Sequence, residues 1–288
     1  MKIYILKLDS SLQPVSQSIR YPSFNDDYGV EQDFYLYITK HVEYLTDDPI
    51  MADYHYLPVY WTRWHLNHNY AKTGLHTLSK LVGNSMLKPS KTFTICQYDD
   101  GPIISLPKVK IFLSSRKTAR GIDIPLLAKP HHLPWFKPNK PYLASFMGRL
   151  TTHKLRLKMA QKLNATEGIQ IISQNLGIKP YINQILKSYV ALCPRGYGGS
   201  SFRFYEAMQL GVVPFLIGNF DTRPFKQYID WDSCSLYASN PGKIMSILLK
   251  HSIQELIQMG QKAKSVYDIQ LKYQSWCNLV LKELESLT

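Results

Sequence analysis

The order of residues between Tyr189 and Ile217 restricts the fold more than any other feature of this chain. An apolar run, Tyr189–Cys193, leads into a glycine-rich turn, Pro194–Ser200. Helix formers follow at Ser201–Leu210, then a second apolar run at Val212–Ile217. Strand, turn, helix and strand in that order form the repeating unit of a parallel α/β layer. The same alternation recurs upstream. Strands are predicted at Lys2–Leu8, Asp53–Tyr60, Lys91–Gln97, Val109–Leu113, Tyr142–Met147 and Ile169–Ile172. Helices are predicted at Tyr35–Tyr44, Thr73–Leu81, His153–Leu163 and Pro180–Ser188. The Asp53–Tyr60 strand runs into an aromatic segment, Trp61–His68, and the chain from Pro241 to Leu287 has apolar residues at helical spacing.

Prolines cluster at Pro125, Pro130, Pro134, Pro138 and Pro141. Proline fixes φ and lacks a backbone donor, so this stretch is neither helix nor central strand. Ala128–Pro141 therefore reads as the connection between two halves. A length of 288 residues is enough for one large domain or for two of ordinary size, at roughly 150 residues each.

Hydrophobic residues make up 45% and charged residues 19% of the chain, which provides for a core and argues against wholesale disorder. The formal net charge is +13. A positive field of that size favours an anionic partner: a phosphorylated ligand, nucleic acid, or the surface of an acidic membrane. The basic residues are spread rather than blocked, which counts against a nucleic-acid arm. Cys96, Cys193, Cys234 and Cys277 are widely spaced with no CxxC pair, so neither a zinc site nor a disulfide framework is expected and a reducing compartment fits. No stretch approaches the roughly 20 apolar residues of a membrane helix, and the N-terminal apolar run is too short for a signal-peptide core. A cytoplasmic protein is expected, with peripheral membrane association through the basic surface left open.

The turn itself carries chemistry. It reads Leu192-Cys193-Pro194-Arg195-Gly196-Tyr197-Gly198-Gly199-Ser200-Ser201-Phe202-Arg203-Phe204-Tyr205-Glu206-Ala207. Backbone N–H groups at a helix start bind phosphate oxygens, and the helix dipole adds to the attraction. Glycine lets the backbone come close to a ligand. Arg195 and Arg203 can add charge-assisted contacts to a diphosphate. Glu206, one turn after Arg203, can accept from both hydroxyls of a ribose. On the residues alone, the stretch serves equally well as an ordinary strand–turn–helix with serine caps and an Arg203–Glu206 surface pair. It is neither a Walker loop nor the dinucleotide fingerprint.

Several separated motifs resemble the exostosin-type glycosyltransferases. They are Cys-Pro-Arg-Gly followed by Ser-x-Arg-x-x-Glu-Ala and Gly-Val-Val-Pro at 193–214, Pro224-Phe225, Ile229-Asp230-Trp231, and Phe146-Met147-Gly148-Arg149 with Arg156 downstream. In the first half, Ala52-Asp53-Tyr54-His55-Tyr56-Leu57-Pro58 is similar to a further family segment. The match is strong over 142–240 and patchy before it. The resemblance implies a GT-B architecture: two Rossmann-like domains with parallel sheets facing across a cleft. The expected boundaries are 1–141 for an acceptor-side domain, 142–265 for a nucleotide-sugar-binding domain, and 266–288 for a C-terminal helix able to fold back on the first. It also implies inverting transfer from a nucleoside-diphosphate sugar, usually a UDP-sugar, to a glycan acceptor. Arg203 and the Ser200 and Ser201 amides, with Gly198 and Arg195, would then hold the diphosphate. Glu206 would hold the ribose, and Arg149 and Arg156 would be further phosphate ligands.

An inverting enzyme needs a general base for the acceptor hydroxyl. Candidates in the first half are Asp99 and Asp100, before Gly101-Pro102, and Asp53, with His55 and His65 behind them. Tyr56, Tyr60, Trp61, Trp64 and Trp135, with His65, are candidates for an acceptor platform; the alternative is that the aromatics pack inside. Asp230-Trp231-Asp232 has a metal-binding Asp-x-Asp spacing. Arginine and a helix dipole can neutralise a leaving diphosphate instead, so neither metal nor any other cofactor is expected. His65, His68, His131 and His132 are expected to be hydrogen-bonded surface histidines. The competing readings are a basic nucleic-acid-binding protein and a catalytically dead, sugar-binding relative.

Overall fold

In the computed structural model, which describes residues 1–18, 29–131, 133–135, 138–174 and 177–287, the chain divides into two units. One comprises Met1–Lys129 and Tyr273–Thr288, the other Pro130–Lys272. The division thus falls at Lys129, inside the proline-rich stretch, and the first unit takes in the end of the chain. No described helix is long and apolar enough to cross a membrane. All four cysteines are buried and unpaired.

The first unit runs β1 (Ile3–Ile5), α1 (Val30–Lys40), β2 (Tyr54–Tyr56), α2 (Trp61–Asn67), α3 (Leu75–Ser85), β3 (Thr92–Cys96), β4 (Lys110–Leu113) and β5 (Ile122–Asp123). Its five strands pair in parallel in sequence order. One apolar cluster gathers Leu6, Leu57, Val59, Trp61, Trp64, Leu78 and Val82. An aromatic group elsewhere in the unit packs Phe34 against Tyr56 and Phe93, with ring centroids 5.1 and 5.9 Å apart. Glu31, in the first turn of α1, accepts from the backbone N–H of Thr62 at the start of α2 (3.1 Å) and of Gln97 after β3 (2.9 Å). This buried carboxylate satisfies two amides that the ends of the elements leave over.

The second unit runs β6 (Tyr142–Met147), α4 (Lys154–Leu163), β7 (Ile169–Ile172), α5 (Ile178–Leu186), β8 (Ser188–Pro194), α6 (Phe202–Gln209), β9 (Val213–Ile217), β10 (Leu236–Ala238), α7 (Ile244–Leu248) and α8 (Ile253–Val266). A short π-helical turn, Tyr267–Leu271, ends α8. The strands pair in parallel in the order β10-β9-β8-β6-β7. From β6 the chain adds β7 on one side, then crosses to build β8, β9 and β10 on the other. The winding reverses between β6 and β8, and such a reversal opens a crevice at the carboxyl ends of the two strands. Among the described residues, the first sheet adds strands in one direction only.

The last helix, α9 (Cys277–Ser286), belongs to the first unit. Trp276 precedes it, fully buried, and donates from Nε1 to Asp33 Oδ2 at 2.8 Å. The fold class is therefore the expected α/β arrangement of two Rossmann-like, parallel-sheet units. β6 and β7 have the expected bounds. α1 begins earlier than expected, at Val30, and Trp61–Asn67, read only as an aromatic segment, is helical. The short strands β5 and β10 were not foreseen.

Candidate functional site

The residues singled out in the second unit collect where its winding reverses. β6 ends at Met147, and Gly148 follows with φ +147°. A Cβ on Gly148 would stand 2.8 Å from Arg203 Nη2. Glycine there lets the Arg203 guanidinium lie against the strand end, where Nη2 donates to the Met147 carbonyl at 2.6 Å. The guanidinium carbon sits 4.4 Å from the Phe146 ring centroid and 5.6 Å from that of Tyr181. Arg203 Nε is buried and has no hydrogen-bond partner. Arginine carries five N–H donors, so this cation is held in place by apolar contact while most of its donors stay available.

The turn after β8 is braced from both neighbours. On the β9 side, Arg195 N donates to Ile217 O at 2.9 Å and Arg195 Nη1 to Asn219 Oδ1 at 2.8 Å. Thr222 Oγ1 donates to the Gly199 carbonyl at 3.2 Å. On the β6 side, Arg156 Nε donates to Arg195 O at 3.0 Å and Nη1 to Arg149 O at 3.1 Å. Burial and the neighbouring Arg203 charge bring the Arg156 pKa down to about 10, so it remains a cation at neutral pH. The sequence suggested Arg156 as a phosphate ligand, but the structure turns it towards backbone carbonyls, as a brace. Arg149 lies exposed just beyond β6. Ser200 and Ser201 are buried at the start of α6, and Ser201, the N-cap, has extended φ −149° and ψ 136° without a side-chain capping bond. Serine capping through the Ser201 hydroxyl is therefore not what starts this helix.

Arg203 and Glu206 are both buried, which rules out a surface pair. Glu206 has two partners that no motif marks. Tyr181 Oη, on α5, donates to Oε2 at 2.5 Å, and His131 Nε2 contacts Oε1 at 3.2 Å. Burial pushes the Tyr181 hydroxyl well above its ordinary pKa, and Glu206 adds to the shift. His131 was expected at the surface; its side chain is instead shielded, because it faces a buried carboxylate. His132 lies outside the described residues.

The first-unit candidates divide between the two ends of the inner strands β2 and β3. Asp53 precedes β2 and accepts from Lys2 N at 2.6 Å, and His55 faces the Pro49 carbonyl at 2.9 Å. Asp53 thus lies at the amino-terminal end of β2, and His55, in mid-strand, turns its ring back to Pro49 ahead of that strand, so neither faces the carboxyl ends where α/β sheets bind ligands. Asp99 and Asp100 lie beyond β3 at the carboxyl edge, in a turn closed by Gly101 N donating to Tyr98 O at 2.8 Å. Asp100 is exposed and pairs with Lys117 Nζ at 2.5 Å. His65 is also near this edge, fully buried, 4.7 Å from the Tyr98 ring, with neither ring nitrogen hydrogen-bonded. Burial lowers its pKa to about 4; the backbone of Gly101 and Pro102 opposes this without reaching hydrogen-bond geometry. Beside it, Asn69, Tyr70 and Ala71 take successive φ values of 53°, 56° and 61°, a strained run of the kind that collects at functional sites.

The aromatic platform needs correction. Tyr56, Tyr60, Trp61 and Trp64 are all buried. Trp61 Nε1 donates to Thr94 Oγ1 at 2.8 Å, and Trp64 stacks on His68 at 3.6 Å. Rings with no open face form core rather than a surface for a sugar. Trp135 alone among the five is exposed, at 99%. In the Asp-x-Asp segment, Trp231 is buried, while Asp232 is exposed and reaches Arg223 at 3.2 Å. Among the described residues no group of three or more His, Cys, Asp or Glu is arranged to hold a metal ion.

Comparison with known proteins bears on the family. The chain is 31% identical over 94 residues to an exostosin-1 homolog of Caenorhabditis elegans, covering 32% of this chain and 25% of that protein. It is 40% identical over 58 residues to exostosin-1 of Drosophila melanogaster, covering 20% and 8%. It is 26% identical over 116 residues to a probable glucuronosyltransferase of Oryza sativa subsp. japonica, covering 40% and 27%. The matches thus span about a quarter or less of these relatives' lengths. Among solved structures, S. aureus TarM in complex with fondaparinux, alpha-GlcNAc-glycerol and UDP aligns at 12% identity and a TM-score of 0.39, over 73% of this chain and 58% of that one. The exostosin GT47 domain matches residues 1–248. With that match running through the Cys193–Pro214 motif and both parallel sheets, the chain belongs to the exostosin GT47 family of glycosyltransferases.

Proposed function

We propose that this chain is an inverting glycosyltransferase that moves a sugar from a UDP-sugar to a hydroxyl of a glycan acceptor without a bound metal ion. The placement of Arg203 carries the reading: a buried guanidinium at the point where the winding reverses, beside the N-terminus of α6, with Nε unpartnered. A diphosphate seated there meets fixed positive charge and helix N–H groups together. As the bond from sugar to phosphate breaks, charge grows on the departing oxygen, and donors already in place stabilise it without reorganising. Ser200 and Ser201 supply amides, Gly198 allows close approach, and Arg149 reaches in from the end of β6. Arg156 and Arg195 hold the loop, and Glu206 receives the ribose.

The acceptor base is assigned to Asp99 or Asp100. These carboxylates stand at the carboxyl edge of the first sheet, whereas Asp53 and His55 do not. The acceptor oxygen loses its proton to that carboxylate and attacks the anomeric carbon from the face opposite the diphosphate, so the configuration inverts.

The test is calorimetric titration with UDP, then a transfer screen with UDP-xylose, UDP-galactose, UDP-glucuronic acid and UDP-N-acetylglucosamine, read by mass spectrometry. The uronic acid is included because of the rice relative's name. Replacing Arg203 with alanine is expected to weaken UDP binding by roughly 10- to 100-fold, the worth of one or two charge-assisted hydrogen bonds. Unchanged UDP affinity in that variant would sink the reading. Tight, salt-sensitive binding of an oligonucleotide with no response to UDP would favour the nucleic-acid alternative.

A further inference from the structure

Glu206 is gripped from two sides. Tyr181 Oη occupies one lone pair of Oε2 at 2.5 Å, and His131 Nε2 occupies one of Oε1 at 3.2 Å. A carboxylate offers about four lone-pair directions, two on each oxygen. One therefore remains on each oxygen, the pattern that two neighbouring hydroxyls of one ligand would satisfy. His131 is itself tied down: its backbone N–H donates to Gln209 Oε1 at 2.8 Å, and Gln209 Nε2 donates to Tyr267 Oη at 2.9 Å. Gln209 lies one helical turn beyond Glu206 on α6. A carboxylate oxygen accepts, so His131 meets Oε1 as a donor through Nε2–H. The Tyr181 ring also lies against the Arg203 guanidinium, 5.6 Å from its carbon, so one side chain touches both proposed donor ligands.

We propose that Tyr181 and His131 are positioning residues that set Glu206 as a receptor for a vicinal diol, so that the site selects ribonucleotides over 2′-deoxyribonucleotides. The inference rests on the reading of Glu206 as the ribose ligand. Its chemistry is specific: a 2′-deoxy sugar supplies one hydroxyl where two acceptors wait, and the second acceptor is left unpaired in a buried setting.

The experiment measures the Kd of UDP and of 2′-deoxy-UDP for the full chain and for Glu206→Gln, Tyr181→Phe and His131→Gln. The native chain is expected to prefer UDP by about tenfold, the effect of one hydrogen bond to a charged group. Glu206→Gln is expected to abolish that preference. Tyr181→Phe and His131→Gln are each expected to cut it by about threefold, with the 2′-deoxy-UDP Kd moving less than about twofold. A general packing defect would instead weaken both nucleotides together. If Glu206→Gln removes the preference and the other two variants leave it whole, the positioning role is wrong and the ribose reading stands. If Glu206→Gln leaves the preference whole, the ribose reading is wrong and the positioning role falls with it. His131→Gln decides the matter should Tyr181→Phe fail to fold, since His131 lies outside the strands and helices of the unit.

Discussion

Gly148 shows how much one missing side chain decides at the end of β6. Its φ of +147° suits glycine, and a Cβ would meet the Arg203 guanidinium at 2.8 Å. Gly148→Ala is therefore expected to displace the cation and strain the backbone, at a cost of about 1–3 kcal/mol. UDP titration and thermal melting check this together: affinity should fall by about fivefold or more even after any loss of stability is corrected for. The motif around Gly148 and the Arg203–Glu206 spacing were legible in the sequence because each is local. Whether that pair was surface or buried was not, since burial depends on what the rest of the fold brings over it. Tyr181 and His131 were out of reach for the same reason. They meet Glu206 across 25 and 75 residues of chain, and a contact at that separation leaves no periodic trace.

Strands and helices were most legible where one signal dominated. β6 is a compact apolar run bounded by proline and glycine, and its limits were read correctly. α2 was missed as a helix because its tryptophans favour strands by propensity, while packing within the unit decides the outcome. β5 and β10, of two and three residues, are too short to display a period. In the second unit, α8 packs backbone to backbone on the turn after α6. A Cβ on Gly260 would lie 2.5 Å from the Gly211 carbonyl oxygen. That neighbour is backbone and cannot swing aside as a long side chain would. Gly260→Ala should therefore force the helix outward and destabilise the chain by about 1–3 kcal/mol, read as a lower urea midpoint. An unchanged midpoint would mean that α8 shifts at no cost.

Over the whole molecule, two buried groups in the first unit oppose each other in pH. Burial raises Glu31 from an ordinary 4.5 to about 7 and lowers His65 from 6.5 to about 4. The folded chain keeps the Glu31 proton that the unfolded chain releases, so this contribution to stability is lost as pH rises from about 4.5 to 7. His65 does the reverse: the unfolded chain takes up a proton as pH falls, so stability is lost from about 6.5 down to 4. The slopes nearly cancel where the windows overlap. Glu31→Gln is expected to change the slope of stability against pH by about +1.4 kcal/mol per unit in that overlap, and His65→Phe by about the same amount with opposite sign. Urea midpoints at a series of pH values measure both, and parallel curves for variants and native chain would refute the pairing.

The return of the chain end to the first unit sets an order of assembly. Trp276, fully buried and bonded to Asp33, is made after every residue of Pro130–Lys272. During synthesis all of Pro130–Lys272 precedes Tyr273, so every residue of the second unit has been added before Trp276. The first unit waits with Asp33 unmet and Phe34 uncovered by the indole until Trp276 has been added. The unit that contains β1 therefore receives its last core residue only after the unit that follows it in sequence has all of its own.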